Sequence, residues 1–139
     1  MPMQVNVPVD IADVIQQWLR TNGVSACAEP LPPYVSSNDP RNLPITLVQP
    51  IGGGRTVEVL DRHAVRLYTW AYTYADAIAA CSRACAVLKA MEGQVVDGTQ
   101  IYRVSVTALP YPAHDTRHPD VPRACTTADV YARATTINI

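Results

Sequence analysis

The fold turns on residues 65–93, Val65-Arg66-Leu67-Tyr68-Thr69-Trp70-Ala71 and the helical run that follows it to Gly93. The first seven residues alternate apolar with polar and are rich in β-branched and aromatic types, which predicts a strand. Thr73 then offers a hydroxyl as N-cap, with Asp76 three residues on in place of the usual Glu or Gln of a capping box. The predicted helix runs from about Tyr74 to Glu92, with Ile78, Cys81, Cys85, Leu88 and Met91 at three- and four-residue spacing on one face. Gly93 provides a left-handed residue to end it. The other faces are small, from Ala75 through Ala86, so this helix can approach a sheet or a neighbouring subunit closely. No chemistry is expected in this unit; it is scaffold.

Working outward, Asp97-Gly98 signals a tight turn before a strand from Ile101 to Leu109. Its alternation puts Tyr102, Val104, Val106 and Ala108 on one face and Arg103, Ser105 and Thr107 on the other. Pro110 to Arg123 reads as a Pro-rich polar loop bearing His114, Asp115, Arg117, His118, Asp120 and Arg123. A last strand, about Cys125 to Thr135, sets Ala128, Val130 and Ala132 against Asp129, Tyr131 and Arg133. Upstream, Ile45 to Gln49 is a strand that ends or bulges at Pro50. Gly52-Gly53-Gly54-Arg55 lacks the Gly-Lys-Ser/Thr ending of a phosphate loop, and no helix begins after it. Gly52 to His63 therefore reads as the outer part of a β-hairpin, an arm exposing Arg55, Arg62 and His63. Ala28 to Pro44 is a proline-broken crossing loop, preceded by a short strand near Val24 to Cys27. Before it, Asp10 caps a helix from Ile11 to about Thr21, with Ile11, Val14, Ile15, Trp18 and Leu19 as an apolar stripe.

These elements suit one domain spanning all 139 residues. Hydrophobic content of 48% with 17% charge describes a packed globular chain. A net charge of −1 gives no global basic field toward nucleic acid. No basic-then-apolar leader and no ~20-residue apolar run is present, so a soluble protein made in the cytosol is expected, with no membrane partner. Cys81 and Cys85 fall on the core face of the helix, where thiols act as small hydrophobes. A zinc site could be drawn from Cys81, Cys85, His114 and His118, but the histidines sit in a loop and no C-x-x-C or H-E-x-x-H occurs. Core thiols and solvated loop histidines are the better reading, and no metal or other cofactor is expected. Tyr68, Trp70 and Tyr72 share one side of the central strand, so part of that side should be covered by a subunit or by the first helix.

The fold class read from this order is α+β: a mostly antiparallel sheet of about four strands, two helices packed on one face, a long hairpin arm and Pro-rich loops. Trp18, Leu19, Ile78, Cys85 and Leu88 are the expected core between helices and sheet.

Over nearly its full length the chain resembles the tail terminators of long-tailed bacteriophages. The likeness lies in the order and spacing of a capped first helix ending Leu19-Arg20, the approach Asn42-Leu43-Pro44-Ile45-Thr46-Leu47, the Gly52-Gly53-Gly54-Arg55 turn, and Val65 to Ala71 running into an alanine-rich helix. A proline-flanked loop closing on Pro122-Arg123 completes it. The resemblance implies a non-enzymatic virion protein, assembled in the host cytoplasm and resident in the tail or neck. It would form a homo-oligomeric, hexameric ring on the tail tube protein, end tube polymerisation, and meet the head–tail connector proteins. DNA would cross its lumen without sequence-specific binding, which a near-neutral chain suits. Candidate interface or lumen residues are Gly52, Gly53, Gly54, Arg55, Arg62, His114, Asp115, Arg117 and Arg123. The competing readings are a head-completion or connector protein of the same neck, and a small ligand-binding or metal enzyme.

Overall fold

The computed structural model describes residues 3–28 and 43–139. Most of the expected crossing loop before Pro44 lies outside the described residues. Ten elements follow in order: β1 (Gln4–Val7), α1 (Ile11–Thr21), β2 (Ala26–Ala28), β3 (Ile45–Val57), β4 (Leu60–Trp70), α2 (Tyr74–Lys89), β5 (Val95–Val96), β6 (Thr99–Pro112), β7 (Arg123–Arg133) and β8 (Thr135–Asn138).

The sheet corrects the expected four mostly antiparallel strands. It has six strands in the order β2-β3-β4-β7-β6-β5 and is mixed, because β2 runs parallel to β3; a separate two-stranded sheet joins β1 to β8. β2 overlaps the short strand expected near Val24 to Cys27; the missed strands, β1, β5 and β8, are two to four residues long. Such segments are too short to show a period of two, and pairing β1 with β8 joins the two ends of the chain, which no local pattern reveals.

Both helices lie on one face of the large sheet. Asp10 Oδ1 accepts from the Asp13 N–H at 3.3 Å to start α1, and Thr73 Oγ1 accepts from the Asp76 N–H at 3.1 Å to start α2. Ile15 and Leu19 of α1 and Ala84 and Leu88 of α2 are fully buried against Val65, Leu67, Val104 and Val130 of the sheet. The buried face of α2 is Ala77, Cys81, Ala84, Cys85 and Leu88, whereas Ile78 is only half-buried at the margin. The alanines thus form part of the contact itself: with a methyl in place of a long side chain, the helix axis comes close to the strands. Trp18 is also half-buried, and its indole Nε1–H donates to the Val87 carbonyl at 2.6 Å, tying α1 to α2.

β3 does not end at Pro50. A register shift between Pro50 and Gly53 absorbs the proline, and pairing with β4 resumes to Val57. β4 in turn pairs with β7 from Leu60 to Trp70. The expected free arm is therefore a body strand of the sheet, with only the 57–60 turn as its tip. A second bulge, between Ile101 and Arg103 of β6, corrects the facing read from alternation. Val104 points into the core, while Tyr102 and Arg103 both lie outside it.

Candidate functional site

On the face away from the helices, Trp70 sits at the end of β4 with 1% exposure. An indole buried there needs a cover and an acceptor for its N–H. Both come from the chain's own 113–122 loop, and neither a subunit nor α1 is required. Asp115, itself 5% exposed, accepts Trp70 Nε1–H at 2.9 Å and the His118 Nδ1 proton at 2.8 Å on one oxygen. Its other oxygen accepts the Arg117 N–H at 2.9 Å. Arg123 closes the knot from β7: Nε donates to the Ala113 carbonyl at 2.7 Å and Nη2 to the His114 carbonyl at 3.0 Å, and its guanidinium lies 4.0 Å from the Tyr68 ring centroid. Burial alone would push the Asp115 carboxyl up; the hydrogen bonds from His118, Arg117 and Trp70 and the charge of Arg123 outweigh it and hold the group below its ordinary range. The loop read as solvated is thus a packed cover, though His114 and Arg117 themselves remain exposed.

The second group of expected site residues lies at the far end of β3 and β4. Gly53 has φ +138°, and a Cβ there would stand 1.8 Å from the Arg62 carbonyl oxygen, so the close approach of the two strands admits only glycine. Arg55 Nε donates to Asp61 Oδ1 at 2.6 Å and Nη2 to Asp61 Oδ2 at 3.1 Å, a two-point ion pair to a carboxylate that is 5% exposed. That pairing holds the Asp61 carboxyl below its usual range. Arg62 turns to the opposite face and reaches Asp129 at 3.3 Å. Of the three basic residues expected to stand free, two are paired and the third, His63, is half-buried, with a solvent-inaccessible Nε2 that finds no hydrogen-bond partner. Burial lowers its pKa against the smaller, opposite pull of Asp61.

The expected residues therefore fall into two clefts and do not converge on one. Gly52, Gly53, Gly54, Arg55 and Arg62 border a cleft of about 500 Å³ beside Asn6 and His63. His114, Asp115, Arg117 and Arg123 border another of about 300 Å³ beside Arg66 and Tyr68. The drawn zinc set is split by the sheet: the Cys85 sulfur lies 3.6 Å from Thr126 Oγ1 on the helix side, while His118 sits on the opposite side against Trp70. All four cysteines are free thiols and buried, and burial pushes Cys81 up to about 12. No group of three or more His, Cys, Asp or Glu among the described residues could hold a metal ion. Sequence reasoning left Asp61 and Arg66 out of the candidate site and weighed His118 only as a zinc ligand or a solvated loop histidine. Trp70 on the uncovered side of a central strand was the available signal for the last, because such a ring must have a lid.

No protein-family model matches the sequence, and the search of characterised proteins finds no match. No helix among the described residues is long and apolar enough to cross a membrane.

Proposed function

We propose that the chain is a non-enzymatic structural protein of a long-tailed phage virion, a tail terminator. It caps the tail tube as a hexameric ring, ends polymerisation of the tube protein, and offers the surface to which the head–tail connector proteins join. DNA crosses the lumen.

The observation that carries this reading is a pair of sheet edges left largely open among the described residues. β3 is 13 residues long, yet β2 flanks only Thr46–Val48. No described strand lies outside β3 from Gln49 onward, and Ile51 and Val57 are 42% and 61% exposed. At the other edge β5 flanks only Thr99 and Gln100, while β6 continues to Pro112 with Leu109 77% exposed. Long edges with apolar side chains invite pairing by another chain. Two different edges on one molecule make a heterologous contact, which closes into a ring when the rotation per subunit permits.

Two measurements test it. Ile51→Lys and Leu109→Lys place a charge on each edge without entering the core; sedimentation should show that they disrupt assembly of a chain whose circular dichroism is unchanged. Micrographs of particles made without the protein should show overlong or headless tails. Tails of normal length with heads attached would refute the terminator reading.

A further inference from the structure

The net charge of −1 hides a segregated distribution. On the large sheet, the face away from the helices carries Arg62 and Arg66 from β4, Arg103 from β6, and Arg123 and Arg133 from β7, with Asp129 as its one strand carboxylate. With the 113–122 loop packed on it, which adds Arg117, Asp115 and Asp120, six arginines against three aspartates make that face +3, and a chain of −1 leaves −4 for everything else.

These guanidiniums are not loose. Arg66 lies over Tyr68, 5.6 Å from the ring centroid, and its Nη1 donates to the Tyr68 hydroxyl at 3.1 Å. Arg103 lies over Tyr131 at 6.0 Å. Arg133 Nη1 reaches the Tyr102 hydroxyl at 3.5 Å, a contact that exists because the bulge turns Tyr102 outward. An arginine laid on an aromatic ring keeps its donor fork and loses little further freedom on binding an oxyanion.

We infer that this arginine–tyrosine sheet face binds the phosphate backbone of double-stranded DNA, without reading its sequence. Charge complementarity selects a polyanion. At about 3.3 Å per residue, the ten-residue span from Arg123 to Arg133 extends roughly 33 Å, close to one turn of B-DNA. Single-strand binding proceeds by stacking bases on open rings. The Tyr68 and Tyr131 rings already carry guanidiniums, which leaves Tyr102 and Tyr111 as the exposed rings of a face where cations predominate. Contacts made to phosphate alone permit sliding along the duplex. The inference stands on this face by itself: a monomer should bind, so failure of the ring reading and failure of this one are separable.

The test uses the full chain and a fluorescein-labelled 20-base-pair duplex, followed by anisotropy from 50 to 200 mM salt. Arg62 is paired with Asp129, so Arg66, Arg103 and Arg133 neutralising about three phosphates predict a slope near −2.7 in log K against log salt, roughly a 40-fold loss over that range. Arg66→Gln, Arg103→Gln and Arg133→Gln should each lower the slope by about 1. Arg83→Gln, exposed on α2 in the helix layer, should change nothing. Two unrelated duplexes should bind alike. Unchanged thermal melts would show that the variants fold. Absence of duplex binding at 50 mM salt overturns the inference, as does binding indifferent to the three face variants. A further refuting result is loss of self-association in those variants with no duplex bound, because the face would then belong to another copy of the chain.

Discussion

Removing the carboxylate of Asp115 is the sharpest probe of how the 113–122 loop is held. Asp115→Ala deletes three hydrogen bonds at once, from Trp70, His118 and the Arg117 backbone. It leaves the indole N–H of Trp70, a residue 1% exposed, without an acceptor. A hydrogen bond to a charged group contributes about 1.5–3 kcal/mol, and an orphaned buried donor costs about 1–3 kcal/mol. His118 and Arg117 can regain water, so they recover part of their share. The expected loss is therefore about 3–4 kcal/mol, the scale seen when a buried charge network loses one member. Asp115→Asn keeps one acceptor oxygen and should cost about half as much. Urea melts followed by tryptophan fluorescence give these values directly. Trp70→Phe in the same background completes a double-mutant cycle, whose coupling should fall in the 0.5–3 kcal/mol range for contacting residues. A loss below about 1 kcal/mol for Asp115→Ala, or a coupling near zero, would mean that the loop is a solvated flap and the knot contributes nothing.

Leu88, with 0% exposure between α2 and the sheet, should cost about 2–5 kcal/mol on truncation to Ala, read from the same urea melts. Gly53→Ala meets both a +138° φ and the Arg62 carbonyl, so a penalty above ~2 kcal/mol is expected, whereas Gly54→Ala, with open space around it, should stay within about 1 kcal/mol. His63 has a lowered folded pKa. The folded state therefore takes up its proton later than the unfolded chain does, and stability that is full above the unfolded value of about 6.5 falls as pH drops below it. Urea midpoints at pH 7.5, 6 and 5 should decline less in His63→Leu than in the wild type, and parallel declines would exclude His63 as the cause.

The helices and the central hairpin were legible because each rests on local physics. Asp10 and Thr73 cap where their hydroxyl or carboxylate can reach the third N–H. Ala128, Val130 and Ala132 are buried as alternation requires. What escaped depends on partners distant in sequence. β5 exists only because β6 offers it an edge, and β1 and β8 only because they pair with each other across the chain. The Ile101/Arg103 bulge inverted the facing of Tyr102, since one extra residue shifts the period of two and nothing in the local composition marks it. The loop after Pro112 was hardest. Its polar residues describe solvent, yet Asp115 is buried because Trp70, 45 positions earlier, requires an acceptor.

Charge on this sheet follows from the same alternation. The helices cover one face, so a charged side chain in β4 or β7 is stable only at the other parity: Arg62 and Arg66 with Trp70 on β4, and Arg123, Asp129 and Arg133 with Tyr131 on β7. Two residues of β4 break the rule, Asp61 and His63, which pair across from Ala132 and Val130 on the covered side. They are also the two that carry a compensation or a defect: Asp61 holds Arg55 in a two-point pair, and His63 leaves its Nε2 unsatisfied. Both adjoin the glycine-lined cleft, at the end of the hairpin that the helices do not reach. A whole-chain sum of −1 averages over both faces and registers neither feature. Counting charge by strand parity separates them, because the pleat assigns each side chain to a face before any tertiary contact forms.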